Sequence, residues 1–143
     1  MPEQAAQYWE HFEHQADIGV RGVAPTLAGA FVQAALAMTA VITDPAGVRS
    51  TQRVDIECEA PDAELLLADW LNALIFEMST RKLLFARFEV HITAHHLHGS
   101  AWGESVERDR HQPAVEIKGA TYTELSVAQL PDQRWCAQCV VDV

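Results

Sequence analysis

Two carboxylates stand where predicted strands begin and end. Asp17 comes directly before an alternating segment that starts at Ile18, and His14 lies three residues earlier. Asp142 is the penultimate residue, followed by Val143 with its terminal carboxylate. If the last strand pairs beside the first, these oxygens cluster and suit a hard cation such as calcium or magnesium. Without that pairing, both aspartates are ordinary solvated charges.

Lys118 is a second candidate for chemistry. It follows an apolar residue in a segment rich in Val, Ile and Tyr, which predicts a strand over 114–125. A lysine in a strand is usually exposed and protects a sheet edge. A fixed ammonium group can also bind a phosphate or a partner's carboxylate. The residue type alone does not separate these roles.

The spacing Cys136-x-x-Cys139 is typical of redox and zinc sites but is weak here. A structural zinc site needs four ligands, and no second pair accompanies this one. In a C-terminal strand, a spacing of three residues points the two thiols to opposite faces of the sheet. We therefore expect Cys139 in a core and no role for Cys136.

Four histidines lie in a short segment, at positions 91, 95, 96 and 98. His91 and His95 share a face of a predicted strand, but they are about 13 Å apart and cannot hold one metal ion without a bend. The pattern favours a solvated, histidine-rich hairpin over a metal site.

Sequence motifs for catalysis are absent. The chain contains no Gly-x-Gly-x-x-Gly, Walker loop, Gly-x-Ser-x-Gly or His-Glu-x-x-His pattern. No nucleophile stands beside an evident base. We assign no catalytic residue, and the sequence gives little support for an enzyme.

Charge restricts the class of partner. The chain of 143 residues has 20 acidic residues against 10 Lys and Arg, for a formal net charge of −10. Proteins bind nucleic-acid backbones through Lys and Arg that displace counterions. Strong direct binding of RNA or DNA is therefore not expected, whereas basic proteins and cations are suitable partners.

The length predicts one domain over residues 1–143, with a polar and flexible leader at 1–11. Three cysteines cannot all pair within the chain, which favours a reduced compartment. No segment has the pattern of a signal peptide, and no apolar run reaches the roughly 20 residues of a membrane span. We expect a cytoplasmic protein with no membrane partner.

Hydrophobic periodicity indicates two amphipathic helices in the first half. One begins after Thr26 as N-cap, and the second begins after Asp62. Strand-like alternation precedes the second helix, as at Val54 and Ile56, and dominates the second half. We predict an α+β fold with the two helices packed on largely antiparallel β-sheet layers.

The chain resembles the archease family from about Phe12 to its last residue. No single match is specific, but their order and spacing together are. The matching residues are His14, Asp17 to Gly19, Thr26-Leu27, Ala30-Phe31, Thr43-Asp44, Leu66, Trp70 to Asn72, Gly103-Glu104, Asp109, His111, Glu116 to Lys118, Thr121-Tyr122 and Val141 to Val143.

The resemblance implies an archease-like α+β protein that is not itself an enzyme. Family members activate the GTP-dependent RtcB-type RNA ligase in tRNA splicing or RNA repair, promoting its guanylylation and multiple turnover. GTP and Mn²⁺ belong to that ligase. A divalent metal, expected to be calcium, would be held by Asp17, Asp142 and an oxygen of Val143. Lys118 corresponds to the lysine needed for activation, with His14 and Glu104 as possible supporting residues.

One departure and two alternatives accompany this resemblance. Thr123 stands where the family commonly has histidine, which argues against a proton-transfer role at that position. One alternative is a metal-assisted phosphoester hydrolase that uses Asp17, His14 and Asp142. The other is an acidic, chaperone-like interaction module that binds many basic clients without a special site.

Overall fold

The computed structural model describes residues 6–143. In this range the strands form two antiparallel sheets, and the helices pack with them around a shared core. The strands are β1 (Tyr8–His14), β2 (Asp17–Ala24), β3 (Gln52–Glu59), β4 (Leu83–Thr93), β5 (His96–Ser105), β6 (Gly119–Ala120), β7 (Ser126–Gln129) and β8 (Trp135–Asp142). The helices are α1 (Leu27–Ile42), α2 (Ala63–Arg81) and the short α3 (Arg108–His111), with a 3-10 turn at Pro45–Gly47. Within this range, no helix combines the length and apolar character that a membrane crossing requires.

The first sheet has the order β1-β2-β8-β6, and β7 pairs with another part of β8. Strands β1 and β2 form a hairpin that closes at the pair His14 and Asp17. The C-terminal strand β8 then lies between β2 and β6, antiparallel to both. The last strand of the chain is therefore an interior strand, bonded on both sides.

The second sheet has the order β3-β5-β4. Along β3, Val54 and Ile56 are buried while Asp55 and Glu57 are exposed. This alternation is expected for a sheet with one face on a core and one in solvent. The exposed face carries charged and histidine side chains from all three strands.

Helix α1 contacts both sheets and is buried over most of its length. Its N-cap is Thr26, whose hydroxyl accepts a hydrogen bond from the amide of Gly29 at 3.0 Å. Two buried side-chain hydrogen bonds join α1 to α2 and to β4. Trp70 donates to the carbonyl of Phe31 at 3.2 Å, and Thr39 donates to that of Phe85 at 2.6 Å.

Helix α2 borders the open edge of β6. Its N-cap, Asp62, accepts a hydrogen bond from the amide of Leu65 at 2.8 Å. The amide group of Asn72 then bonds the outward-facing backbone of Ala120 twice, accepting from its N–H at 2.9 Å and donating to its carbonyl at 3.1 Å. Asn72 thus takes the place of a neighbouring strand and fixes β6, the strand that follows Lys118.

The predicted fold class and both predicted N-caps are confirmed. Two element predictions are wrong. The leader predicted at 1–11 overlaps β1 from Tyr8, while residues 1–5 lie outside the described range. The strand predicted over 114–125 shrinks to Gly119–Ala120. The amides of Lys118 and Thr121 also bond β8, but regular pairing, with Asp142 and Val141, covers only these two residues.

Gly22 permits the close contact between β2 and α1. A methyl group at this position would lie 2.3 Å from the backbone nitrogen of Ala34 and 2.4 Å from the carbonyl oxygen of Ala30. Backbone atoms of a buried helix cannot move aside as a flexible side chain can. We expect Gly22→Ala to lower the free energy of unfolding by about 1–3 kcal/mol, measured by urea denaturation. Gly47→Ala is the control, since no atom lies within 4 Å of its added methyl group. Equal stability of the two variants would contradict this packing.

Candidate functional site

The pairing of β2 with β8 brings the two predicted aspartates to the same end of the first sheet. Ile18 is the register partner of Val141. One step further along the antiparallel register, Asp17 faces Asp142. Residues directly opposite on neighbouring strands present their side chains on the same face of the sheet, about 4.5–5.5 Å apart at Cβ. The condition set by the sequence, that the last strand lies beside the first, is met.

Lys118 reaches this sheet end from the other side of β8. Its amide donates a hydrogen bond to the carbonyl oxygen of Asp142 at 2.7 Å, and Gly119 is the register partner of Asp142. The next register position places Lys118 beside Val143. Lys118 lies immediately before β6 rather than within a long strand, and its side chain is exposed. We name Asp17, Lys118, Asp142 and Val143 the strand-end group.

Oxygen donors of the strand-end group suit a hard cation. Asp17, Asp142 and Val143 are half-buried, so a bound ion would be partly shielded from water. Carboxylates directly opposite on adjacent strands repel each other, and a cation relieves that repulsion. Within residues 6–143, these aspartates and His14 do not form a set of three side chains able to share an ion.

His14 lies in the same hairpin, as the register partner of Asp17 at the end of β1. It is half-buried. Since β2 separates β1 from β8, His14 is on the far side of Asp17 from Asp142. This placement fits a residue that borders the strand-end group.

Glu104 lies in the second sheet, near the end of β5. Its hydrogen bonds go to residues outside the strand-end group. The carboxylate accepts hydrogen bonds from the amide of Arg49 at 2.7 Å and the guanidinium of Arg110 at 2.5 Å. It also bonds Nε2 of His111 at 3.1 Å. With its side chain only 9% exposed, Glu104 is a buried anion that holds α3 and the segment after the 3-10 turn against the sheet.

The partners of His111 determine its tautomer. Its Nδ1 accepts a hydrogen bond from the amide of Glu107 at 2.9 Å. That nitrogen carries a lone pair, so Nε2 carries the proton that is donated to Glu104. The backbone carbonyl of His111 accepts from the hydroxyl of Thr43 at 2.6 Å. Sequence reasoning found these residues only as family matches, because a buried network that joins separate elements leaves no periodic signal.

The Arg110 guanidinium, together with the Arg49 amide and His111, lowers the pKa of Glu104 from 4.5 to about 2. A carboxyl whose pKa is lower in the folded state stabilises the fold fully above its ordinary pKa. That stabilisation is lost as the pH falls from about 4.5 toward about 2. We expect Glu104→Gln to lower the Tm at pH 7 by about 5 °C and to flatten the decline in Tm below pH 4.5. Thermal unfolding monitored by circular dichroism measures both.

Glu59→Gln is the matched control for this experiment, because Glu59 is an exposed glutamate of β3. It should change neither the Tm at pH 7 nor its acid dependence. If Glu104→Gln behaved like this control, Glu104 would not anchor the network.

The three thiols are free, and none has the environment of a reactive cysteine. Burial raises the pKa of Cys139 to about 12 and, with the nearby charge of Asp69, that of Cys58 to about 11. Burial also raises the pKa of Cys136. Cys139 is fully buried in β8, which confirms the expectation that it belongs to the core.

Because thiolates are the reactive species, we expect iodoacetamide at pH 8 to label Cys139 about a hundredfold more slowly in the native protein than in urea. Mass spectrometry of the digested protein measures labelling at each cysteine. Cys136, half-exposed in the same strand, is the internal control and should be labelled faster. Rapid labelling of native Cys139, or a Cys136–Cys139 disulfide under mild oxidation, would contradict this assignment.

The histidine-rich segment forms the predicted hairpin between β4 and β5. The argument from sequence considered distances along one strand only and did not consider ligands from neighbouring strands. Across strands, Glu57, His96 and His98 bring their ligand atoms within 4.8 Å of one another. His91 and His95 are not in this set.

Comparisons with known proteins agree over nearly the whole chain. The model of the archease protein family (MTH1598/TM1083) matches residues 9–143. The archease of Pyrococcus furiosus is 40% identical, over 94% of this chain and 98% of the relative. That of Pyrococcus abyssi is 37% identical over the same shares.

Solved structures give the same result. The solution structure of protein 1598 of Methanobacterium thermoautotrophicum superposes with a TM-score of 0.83 at 31% identity, covering 94% of this chain and 98% of that one. A Thermotoga maritima archease (TM1083) shares the fold, with a TM-score of 0.62 at 19% identity and coverage of 92% and 94%. Because the family model covers residues 9–143 and the archease of Pyrococcus furiosus is 40% identical over 94% of the chain, this chain belongs to the archease family.

Proposed function

We propose that this protein activates a GTP-dependent RtcB-type RNA ligase in the cytoplasm, in tRNA splicing or RNA repair. It promotes guanylylation of the ligase and its multiple turnover without being an enzyme itself. The observation that carries the proposal is the register that places Asp17, Asp142 and the backbone of Lys118 at one sheet end. The residues through which the family resemblance implies activation are thus neighbours here.

Asp17 and Asp142 would hold a divalent ion together with an oxygen of Val143. Oxygen-only ligands suit calcium or magnesium, and the family resemblance implies calcium. When bound, the ion supplies positive charge between two strand ends that otherwise repel. The carboxylates then fix the relative position of β2 and β8, and with it the backbone of Lys118, whose amide is bonded to Asp142. The chain presents this arrangement to the ligase as a rigid edge.

Lys118 would act through its ammonium group. The side chain is exposed, whereas its own amide and the following β6 are bonded to β8. A long cationic side chain on a fixed backbone can reach a phosphate oxygen or a partner's carboxylate. We infer that Lys118 contacts the nucleotide triphosphate, or an acidic group beside it, in the ligase's nucleotide pocket.

Features around Lys118 suit a protein partner. Phe76 is 63% exposed, and it lines the same surface depression as Lys118. A large exposed aromatic side chain is typical of residues that become buried in an interface. The net charge of −10 complements a ligase that must be basic to bind RNA, and complementary charge speeds encounter.

A chaperone-like module is the second candidate, and the acidic surface favours it. The Thermotoga maritima relative is described as a possible chaperone. Such a module would bind many basic clients and would not need the strand-end group. A metal-assisted hydrolase using Asp17, His14 and Asp142 is the third candidate, and turnover of a nucleotide or phosphoester by the isolated protein would favour it.

The test counts ligation turnovers by the ligase of the same source, with GTP, Mn²⁺ and an excess of RNA ends carrying 3′-phosphate and 5′-hydroxyl groups. We expect multiple turnover only when the protein is added. Asp17→Asn, Asp142→Asn and Lys118→Ala should each reduce activation at least about tenfold, since each removes a charged group from the proposed contact.

Matched controls separate a local effect from loss of net charge. Asp69→Asn removes an exposed carboxylate from α2, and Arg49→Ala removes an exposed cation. Both should activate normally. Single turnover under all conditions would refute the proposal, and equal activation by the strand-end variants would favour the chaperone-like module instead.

A further inference from the structure

We propose a second metal site on the exposed face of the second sheet, formed by Glu57, His96 and His98 and selective for a divalent transition metal such as zinc. The ligands come from two adjacent strands. His96 and His98 are two residues apart on β5 and therefore point to the same face. Glu57 of β3 is the register partner of His98.

Distances among the ligand atoms fit one ion. Oε1 of Glu57 lies 2.9 Å from Nε2 of His96 and 3.4 Å from Nδ1 of His98. Ligands bound at about 2.0–2.2 Å to a tetrahedral ion are about 3.3–3.6 Å apart. Both imidazoles already direct a nitrogen toward the same carboxylate oxygen.

The two rings would have to turn on binding. They stack with centroids 4.4 Å apart and planes inclined by 21°. A metal lies in the plane of each imidazole that binds it, which two nearly parallel rings cannot both satisfy. The side chains of His98 and Glu57 are 65% and 62% exposed, and exposed side chains change rotamer on a fast timescale. The site is therefore nearly formed, and ring rotation completes it.

Charge around the three ligands favours a cation. An open depression of about 510 Å³ covers this part of the sheet, and Asp55, Glu57, Glu89 and Arg53 contribute its charged side chains. Three carboxylates against one guanidinium leave a negative potential, and Arg53 is already paired with Asp55 at 2.8 Å.

The donor set distinguishes this site from the strand-end group. Two imidazoles and one carboxylate suit zinc, nickel or copper, whereas oxygen-only ligands suit calcium or magnesium. The ligands lie in the second sheet, whereas the strand-end group lies in the first. A zinc ion on the second sheet would leave a coordination position for water or for a side chain of a partner.

The experiment is a calorimetric titration of the untagged protein with Zn²⁺ in the presence of 1 mM Ca²⁺, an excess that keeps oxygen-only ligands occupied (a concentration of order 10⁻³ M suffices for weak calcium modules). We expect one Zn²⁺ per chain. His96→Gln, His98→Gln and Glu57→Gln should each weaken binding about tenfold or more, because each removes one of three ligands. These side chains are on the surface, so circular dichroism should show the same fold in each variant.

His95→Gln is the matched control, since His95 occupies the adjoining turn and is not in the ligand set. It should change the affinity less than about twofold. Histidine side-chain NMR spectra give a second readout, with zinc shifting the ring nitrogens of His96 and His98. Absence of zinc binding, or equal binding by the His96→Gln/His98→Gln double variant, would overturn the proposal.

Discussion

The insertion of β8 between β2 and β6 is the constraint on which the candidate site depends. Asp17, Lys118 and Asp142 are far apart in sequence. They meet because β8 pairs with β2 on one side and with β6 on the other. The same strand carries the buried Cys139 into the core. A change that loosened β8 would therefore affect the core and the strand-end group together, whereas a change of one exposed side chain in that group affects chemistry alone.

Helix α1 connects the first sheet to the rest of the fold. Gly22 brings the backbone of α1 against β2, and Trp70 and Thr39 then bond that helix to α2 and β4. Each of these bonds satisfies a polar group where water cannot reach it. In the second sheet, the buried carboxylate of Glu104 and the guanidinium of Arg110 likewise hold α3 against β5. The charged residues of this protein thus divide between those that hold elements together and those left available to a partner.

Local signals explain why part of this structure was predictable from sequence. The N-caps Thr26 and Asp62 bond amides only three residues away. The alternation around Val54 likewise lies within one strand. The strand-end aspartates were predictable only on condition that the first and last strands pair. The placement of Lys118 was not predictable, because it depends on contacts of the neighbouring β6 with β8 and with Asn72 on a distant helix. The set of Glu57, His96 and His98 was also missed, because Glu57 approaches the two histidines from a neighbouring strand and is far from them in sequence.

The position of β8 also determines how the protein can form during synthesis. A ribosome releases the β1–β2 hairpin well before β8, the strand that covers the free edge of β2. Until then, β2 presents unpaired amides and carbonyls, the kind of edge through which chains associate wrongly. Pairing of such distant segments closes a large loop and is correspondingly slow. For this chain, we expect the interval between emergence of β2 and arrival of β8 to be the time of greatest risk of aggregation.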